Sequence, residues 1–254
     1  MTKPYVTVVI PAYNSEKYIK KAIDSVFAQD VELEVIVIND ASTDGTVSVL
    51  EEYLDRDNFI LLDNQTNSGV AISRNLGVAT AKGEYIAFLD ADDWWEVGKL
   101  EKQLATMKAK GTVISSTARE LVDSEGISKG KIVGIPKQIT YQMMLRQNFL
   151  NCSSVVVKSD VIRKFPMQHD DSHEDYITWM KILRKYKEAT GVNEPLLKYR
   201  VSDTGKSGSK WNSAKMMYKA YRYLGIEPIK AAFYFCAYAI NGIRKYYFNR
   251  GEGR

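Results

Sequence analysis

Through the first ninety residues, short runs of β-branched and aliphatic residues alternate with stretches whose apolar positions recur at helical spacing. Val6–Ile10 is a near-continuous apolar run, the pattern of a strand covered on both faces. Ser15 stands where it can cap a helix carrying Tyr18, Ile19, Ala22, Ile23, Val26 and Phe27 on one side. Glu34–Asn39 predicts a second strand, and Thr43–Leu54 a helix opened by Ser42-Thr43-Asp44. Phe59–Leu62 predicts a third strand, Val70–Ala79 a helix after Gly69, and Tyr85–Leu89 a fourth strand. Strands separated by helices of this length imply a parallel sheet with right-handed crossovers, whose ligands bind beyond the carboxyl ends of the strands. The loops Pro11–Asn14, Asp40–Gly45, Asn64–Gly69 and Asp90–Trp95 all leave those ends.

After residue 110 the pattern loosens. Val113–Ser116 predicts a short strand and Arg119–Lys131 a polar hairpin turning at Ser124-Glu125-Gly126. Thr140–Gln147 reads as a helix, Ser153–Val157 as a strand, Asp175–Lys185 as a helix and Leu196–Arg200 as a strand. The Gly-, Ser- and Lys-rich stretch Ser202–Lys210 reads as a mobile loop, a lid able to order over a diphosphate with Lys206 supplying charge. Helices over Ser213–Leu224 and Pro228–Phe248 close the chain. No internal repeat or low-complexity tract interrupts it.

At 254 residues, 45% hydrophobic and 26% charged, the chain has the balance of a soluble globular protein of one large domain or one domain with an annex. A net charge of only +4 gives no ground for a nucleic-acid partner, but the end from Lys230 onward is distinctly basic. Cys152 and Cys236, in apolar surroundings without metal-ligand spacing, read as buried thiols of a reducing compartment. Met1–Pro4 leads straight into a strand, so no secretory leader is expected, and no apolar run approaches the roughly 20 residues of a spanning helix. The expected location is the cytoplasm, or the inner face of the plasma membrane as a peripheral protein.

The sharpest chemical signal is Tyr85-Ile86-Ala87-Phe88-Leu89-Asp90-Ala91-Asp92-Asp93-Trp94-Trp95, an apolar strand driving into three carboxylates. Strand alternation puts Asp90 and Asp92 on one side, with Ala91 facing away. Two carboxylates there need a cation, and hard oxygen ligands beside a cleft suit Mg²⁺ or Mn²⁺ with substrate phosphates as further ligands. An acidic turn capping a helix around Val97–Met107 explains Asp93 but does not require Asp90 and Asp92.

The first loop, Pro11-Ala12-Tyr13-Asn14, lacks the glycines with which a dinucleotide-binding fold brings a helix against pyrophosphate. Pro11 stiffens the turn, and Tyr13 offers a face for a base to stack on, or for simple packing. In the second loop Asp44 belongs to a helix start, whereas Asp40 at the strand end can accept a hydrogen bond from a base ring N–H. Arg74, just beyond Gly69, can neutralise a phosphate, hold a base edge, or make a surface salt bridge. The segment His169-Asp170-Asp171-Ser172-His173-Glu174-Asp175-Tyr176, ahead of Trp179, holds more acid than a helix start needs, and one carboxylate there can serve as general base.

Taken in order, Val9–Asn14, Asn39–Thr46, Asn67-Ser68-Gly69 with Ser73-Arg74-Asn75, Asp90–Asp93 and Glu174-Asp175 resemble the family 2 glycosyltransferases over roughly residues 5–203. The resemblance implies the α/β GT-A fold, a mixed, mainly parallel sheet flanked by helices. Its glycosyltransferase domain would span 1–210, with a nucleotide-binding half to about 115, an acceptor half over 116–210, and a C-terminal helical extension over 211–254. It also implies an inverting, metal-dependent transfer from a nucleotide-diphosphate sugar, a UDP-sugar foremost, to a glycan or lipid-linked acceptor in cell-surface polysaccharide synthesis. Residue by residue, it places Tyr13 and Asp40 on the base, within a donor site shared by Pro11, Ala12, Asn14 and Ala91. Arg74 falls near base or phosphate, Asp90 on ribose or sugar hydroxyls, Asp92 on the metal, and Asp175 as catalytic base. Glu174 and Trp179 fall on the acceptor side, Glu174 orienting either the acceptor or Asp175. One departure is visible. Many relatives carry a histidine after the Tyr-Arg pair as a further metal ligand, and here Tyr199-Arg200-Val201 leads to Ser202.

Rivals explain less. A haloacid dehalogenase-type phosphatase continues its Asp-x-Asp into Gly-Thr, where this chain has Asp93-Trp94-Trp95. A sugar-phosphate nucleotidyltransferase needs a Gly-rich basic first loop, and a non-catalytic binding subunit needs no Glu174-Asp175. The last helix carries Ile229, Phe233, Cys236, Ile240, Ile243 and Tyr247 at helical spacing, Tyr234 and Phe235 beside them, with Lys230, Arg244, Lys245 and Arg250. That stripe suits an anionic membrane surface, or packing on the catalytic domain or on a second copy in a homo-oligomer.

Overall fold

The computed structural model describes residues 5–201 and 210–247, with side chains for all of these except 210–213 and 242–247. Four strands open the chain: β1 (Val6–Ala12), β2 (Leu33–Asn39), β3 (Phe59–Asp63) and β4 (Tyr85–Phe88). Between them lie α1 (Ile19–Phe27), α2 (Thr46–Glu51) and α3 (Val70–Thr80). The strands are parallel in the order β3-β2-β1-β4, as the alternating pattern predicts. Ala12 pairs with Asn39 and Asn39 with Asp63, so the carboxyl ends of three strands share one edge and their loops open on one rim. Helix α3 lies hard against this sheet: a Cβ on Gly77 would meet Val9 Cγ1 at 2.4 Å. Only glycine permits that approach, and it fixes how far the start of α3 reaches over the rim.

The second half continues the same sheet. It adds β5 (Trp94–Trp95), α4 (Lys99–Lys110), β6 (Ile114–Val122), β7 (Ser128–Val133), β8 (Gln138–Thr140) and α5 (Tyr141–Met144). Then come β9 (Val156–Lys158), α6 (Ser159–Ile162), α7 (Glu174–Tyr186), β10 (Glu188–Arg200), α8 (Lys210–Tyr223) and α9 (Pro228–Tyr247). Strand β9 runs antiparallel between β4 and β6, β10 lies parallel to β6, and β5 pairs antiparallel with β10. The result is a mixed, mainly parallel sheet of the GT-A type.

Several boundaries differ from the sequence pattern for local reasons. β6 extends to Val122, well past Ser116, and the buried hydroxyls of Ser115 and Ser116 are paired inside the protein. Ser115 Oγ accepts from Gln103 Nε2 at 3.2 Å, and the Ser116 and Ser154 hydroxyls bond at 2.5 Å. β10 begins at Glu188 rather than Leu196, its register with β6 shifting on either side of Pro195, which has no N–H for the ladder. Residues 152–154 form a 3₁₀ turn, leaving only Val156–Lys158 as strand. Ser15 does not cap α1 with its side chain; its hydroxyl donates to Tyr13 O and its carbonyl accepts from the Tyr18 and Ile19 amides.

Helices α8 and α9 pack on the body of the fold, with Met217, Ala220, Tyr221, Leu224 and Ala231 in the same apolar cluster as Phe88 and Trp179. Tyr234, Phe235 and Tyr238 line the packed side of α9. Ile229, Phe233 and Ile240, 86%, 65% and 53% exposed, lie on the opposite side. Both faces of the helix are therefore apolar, one covered and one bare. Cys152 is buried as expected, but Cys236 is exposed on this bare side, and both thiols are free. Among the described residues no helix is long and apolar enough to cross a membrane. The side chains of Ile243, Arg244, Lys245 and Tyr247, and all of Arg250, lie outside the described residues, as do residues 202–209 of the lid expected over Ser202–Lys210, Lys206 among them; Lys210 opens α8.

Candidate active site

On the rim, the turn after β1 is locked to the loop after β2. Asn14 sits at φ 48°, its amide N–H donating to Ser42 Oγ at 3.0 Å and its side-chain oxygen accepting the Thr43 amide at 2.8 Å. Asn and Asp tolerate this left-handed geometry better than most residues. Asp40 is buried and holds the third loop in place. One oxygen accepts from Asn64 Nδ2 (2.7 Å) and the Ser68 amide (2.9 Å), the other from the Gly69 amide (2.9 Å). A carboxylate has about four lone-pair sites, so one remains toward the cavity of about 390 Å³ that Asp40 shares with Pro11, Ala12, Tyr13 and Val70. Tyr13 is half exposed over that cavity and over the main one beside it.

The main cavity, about 720 Å³, lies between the Asp90–Asp92 turn, the start of α7 and Arg74 on α3. Asp90 and Asp92 both line it with Ala91, although not through strand alternation: β4 ends at Phe88, and the Asp93 amide bonds back to Asp90 O in a turn. Arg74 is not on the surface: it lines the main cavity with its Nε unbonded, and its two terminal nitrogens are engaged by carboxylates. Buried, it donates from Nη2 to Asp90 Oδ1 at 2.5 Å and from Nη1 to Glu174 Oε1 at 2.8 Å, bridging the two halves of the site. Asp93 is not the cap of α4, which starts behind Gly98. It is fully buried and accepts the Arg200 amide at 2.8 Å, and desolvation with the charges of Asp92 and Asp90 pushes its pKa well up, favouring the neutral acid. Arg200 completes the clamp, donating from Nε to Asp92 O at 2.9 Å.

The acid-rich segment before α7 resolves into separate jobs. Asp170 accepts the Ala71 amide at the start of α3 (3.1 Å) and fills the space a Cβ on Gly69 would need. Asp171 holds Lys219 (2.7 Å) and the Tyr223 hydroxyl of α8, while His169 stacks on Tyr223 at 3.7 Å. Glu174 is taken by Arg74. Asp175 remains, facing the main cavity, its pKa pushed to about 6 by burial and by Glu174, against the pull of Arg74 and His173. Asp92 likewise rises to about 6 through burial and the charge of Asp90, with Arg200 opposing. Trp179 lines neither cavity: it is fully buried, its ring 5.8 Å from that of Phe88, and it packs α7 onto the sheet.

Four carboxylates line the main cavity (Asp90, Asp92, Glu174 and Asp175) against two guanidiniums (Arg74 and Arg119), an excess of two negative charges. That excess fits one divalent cation. No group of three His, Cys, Asp or Glu converges among the described residues, so such an ion would rest on Asp92 with substrate oxygens and water as its other ligands. The sequence pattern also missed Arg119, Gln147, Asn148 and Asn151, and Met216, Met217 and Tyr238 of the last two helices, all of which line this cavity. They come from a strand, a loop and two helices distant in sequence and carry no local spacing.

Residues 7–180 match the profile described as Glycosyl transferase family 2, and the chain belongs to that family. It is a glycosyltransferase. Over 246 residues it is 35% identical to the Bacillus subtilis glycosyltransferase TuaG, named for teichuronic acid biosynthesis, covering 96% of this chain and 98% of the relative. It is 31% identical over 254 residues to the Escherichia coli UDP-Glc:α-D-GlcNAc-diphosphoundecaprenol β-1,3-glucosyltransferase WfgD, covering 98% of each. Among solved structures it is similar to residues 1–349 of Staphylococcus aureus TarS in complex with UDP-GlcNAc (TM-score 0.73, 20% identity, 97% of this chain and 74% of that one). It is also similar to the Pyrobaculum calidifontis mannosyltransferase PcManGT in complex with GDP-Man and Mn²⁺ (TM-score 0.71, 19% identity, 95% and 74%). At such identities these structures establish the shared GT-A fold.

Proposed function

We propose that the chain is an inverting transferase that moves a sugar from a UDP-sugar to a hydroxyl of a lipid-linked saccharide during cell-surface polysaccharide assembly. The observation that carries this reading is Asp175, which lines the main cavity together with the Asp90–Asp92 turn and, unlike its neighbour Glu174, is not drawn into an ion pair with Arg74. The donor belongs to the half up to about residue 115: base beside Tyr13 and Asp40, ribose or sugar hydroxyls at Asp90. The acceptor belongs to the half over 116–210 and to the extension over 211–254. Relatives such as WfgD carry UDP-Glc and a diphosphoundecaprenol acceptor in their names, which supports that choice of substrates.

Asp92 would hold a Mn²⁺ or Mg²⁺ ion, whose chemistry is to stabilise charge developing on the departing diphosphate. Asp175 takes the proton of the acceptor hydroxyl as that oxygen forms its bond to the anomeric carbon. The anomeric carbon's bond to the diphosphate breaks on the opposite face, its electron pair leaving with the nucleotide. Arg74 keeps Asp90 and Glu174 at fixed positions and tempers the charge beside Asp175.

The bare face of α9, with Lys230 exposed at its edge, supports docking on anionic headgroups at the inner membrane face, where a lipid-linked acceptor would lie. A second copy of the chain is the other occupant of that face. The donor assignment is tested by thermal stabilisation across a panel of nucleotide sugars with Mn²⁺. Stabilisation by UDP-sugars, dependent on Mn²⁺, is expected; equal melting with every nucleotide sugar would reject it.

A further inference from the structure

Arg119 is the strangest group in the main cavity. It projects from β6 into the wall, is only 8% exposed, and its Nε has no hydrogen-bond partner. Among the described residues no carboxylate pairs with it, and its guanidinium lies against the Tyr199 ring, 5.4 Å from the centroid. The other cavity arginine, Arg74, also has an unbonded Nε but is held by two carboxylate partners, and it is the missing carboxylate that sets Arg119 apart. A guanidinium cannot shed its charge, so burying one without an anion is costly unless a ligand supplies the anion.

On the reading proposed above, both substrates carry a diphosphate. We infer that Arg119 is a binding residue for a substrate phosphoryl group, its planar fork receiving phosphate oxygens. The same cavity offers groups for the sugar attached to such a phosphate. Gln147, Asn148 and Asn151, which also line it, are uncharged and suited to hydroxyls, and the Asn151 side-chain oxygen is buried without a partner. The phosphoryl group belongs either to the donor or to the lipid-linked acceptor, and the two are separable by experiment.

The test measures affinities of the full chain for UDP with Mn²⁺, for uridine, and for an α-GlcNAc diphosphate bearing a short alkyl chain. The parent is compared with Arg119→Met and Arg119→Lys. Arg119→Met is expected to melt no lower than the parent, because it removes an unpaired buried charge, yet to bind one diphosphate at least about tenfold more weakly. Uridine affinity stays unchanged, and Arg119→Lys keeps part of the lost affinity. A loss confined to UDP assigns the donor phosphates, and a loss confined to the alkyl diphosphate assigns the acceptor. The inference is overturned if both bind Arg119→Met as they bind the parent, or if the variant melts far lower and loses uridine too. A parent that binds neither diphosphate overturns the proposed function itself, and with it this assignment.

Discussion

Replacing Arg74 with methionine removes the cation shared by Asp90 and Glu174 and leaves both carboxylates facing each other across the site. Taking one partner from a buried ion pair costs roughly 3–5 kcal/mol. The side chain of Glu174 is only 8% exposed and bears most of this, whereas that of Asp90 is one-third exposed and partly screened by solvent. The lower end, about 3 kcal/mol, is therefore expected. For a chain of this size it lowers Tm by roughly 6–12 °C. The sign of the pH dependence is fixed by linkage. Without Arg74 the Asp175 carboxyl, already raised to about 6, holds its proton more tightly folded than unfolded, so the variant's deficit shrinks as pH falls from about 8 to about 5. Arg74 also holds down the pKa of Asp175, so whatever activity the variant keeps should need a higher pH. Thermal melts across pH, with Arg74→Met/Glu174→Gln as a rescue, read all of this. A Tm change below about 2 °C that does not vary with pH would refute the reasoning.

Asp92→Ala should abolish the Mn²⁺-dependent part of nucleotide affinity with little change in Tm; a variant that binds UDP and Mn²⁺ like the parent removes Asp92 from the metal. Turnover should fall ever more steeply below about pH 6, toward about a hundredfold per pH unit, because Asp175 and Asp92, both pushed to about 6, must each be ionised to act as base and metal ligand. A rate flat from pH 7 to about 5 would contradict those roles. Phe233→Glu with Ile240→Glu should stop retention of the protein on anionic vesicles while leaving hydrolysis of the nucleotide sugar unchanged. Unaltered flotation would assign the bare face of α9 elsewhere.

The parallel half of the fold was legible because its strands are apolar runs and its helices keep one apolar face, so periodicity and burial agree. Legibility failed at β6, where Ser115, Ser116 and Thr117 lie inside the sheet, and at β10, where Pro195 divides the strand. Partners distant in sequence decide both. In the site, the motifs placed Asp40, Asp90, Asp92 and Asp175 around the two cavities, since each follows a strand end or opens a helix. What each acid touches was not legible. Asp40 holds a loop, Asp93 meets the Arg200 amide, and Asp170 caps α3, all through contacts made only when the chain is folded. The resemblance put Trp179 on the acceptor side, but its ring packs on Phe88 inside the core, a contact between residues 91 positions apart that no local pattern shows.

The central claim is that Asp175 acts as the base in transfer and does little for donor binding. Mn²⁺-dependent hydrolysis or transfer of a UDP-sugar by the purified protein, measured beside UDP affinity for the parent and Asp175→Asn, tests it most directly. The account predicts unchanged affinity and a rate lower by about three orders of magnitude or more. Equal losses of affinity and rate, or a rate near the parent's, would contradict it.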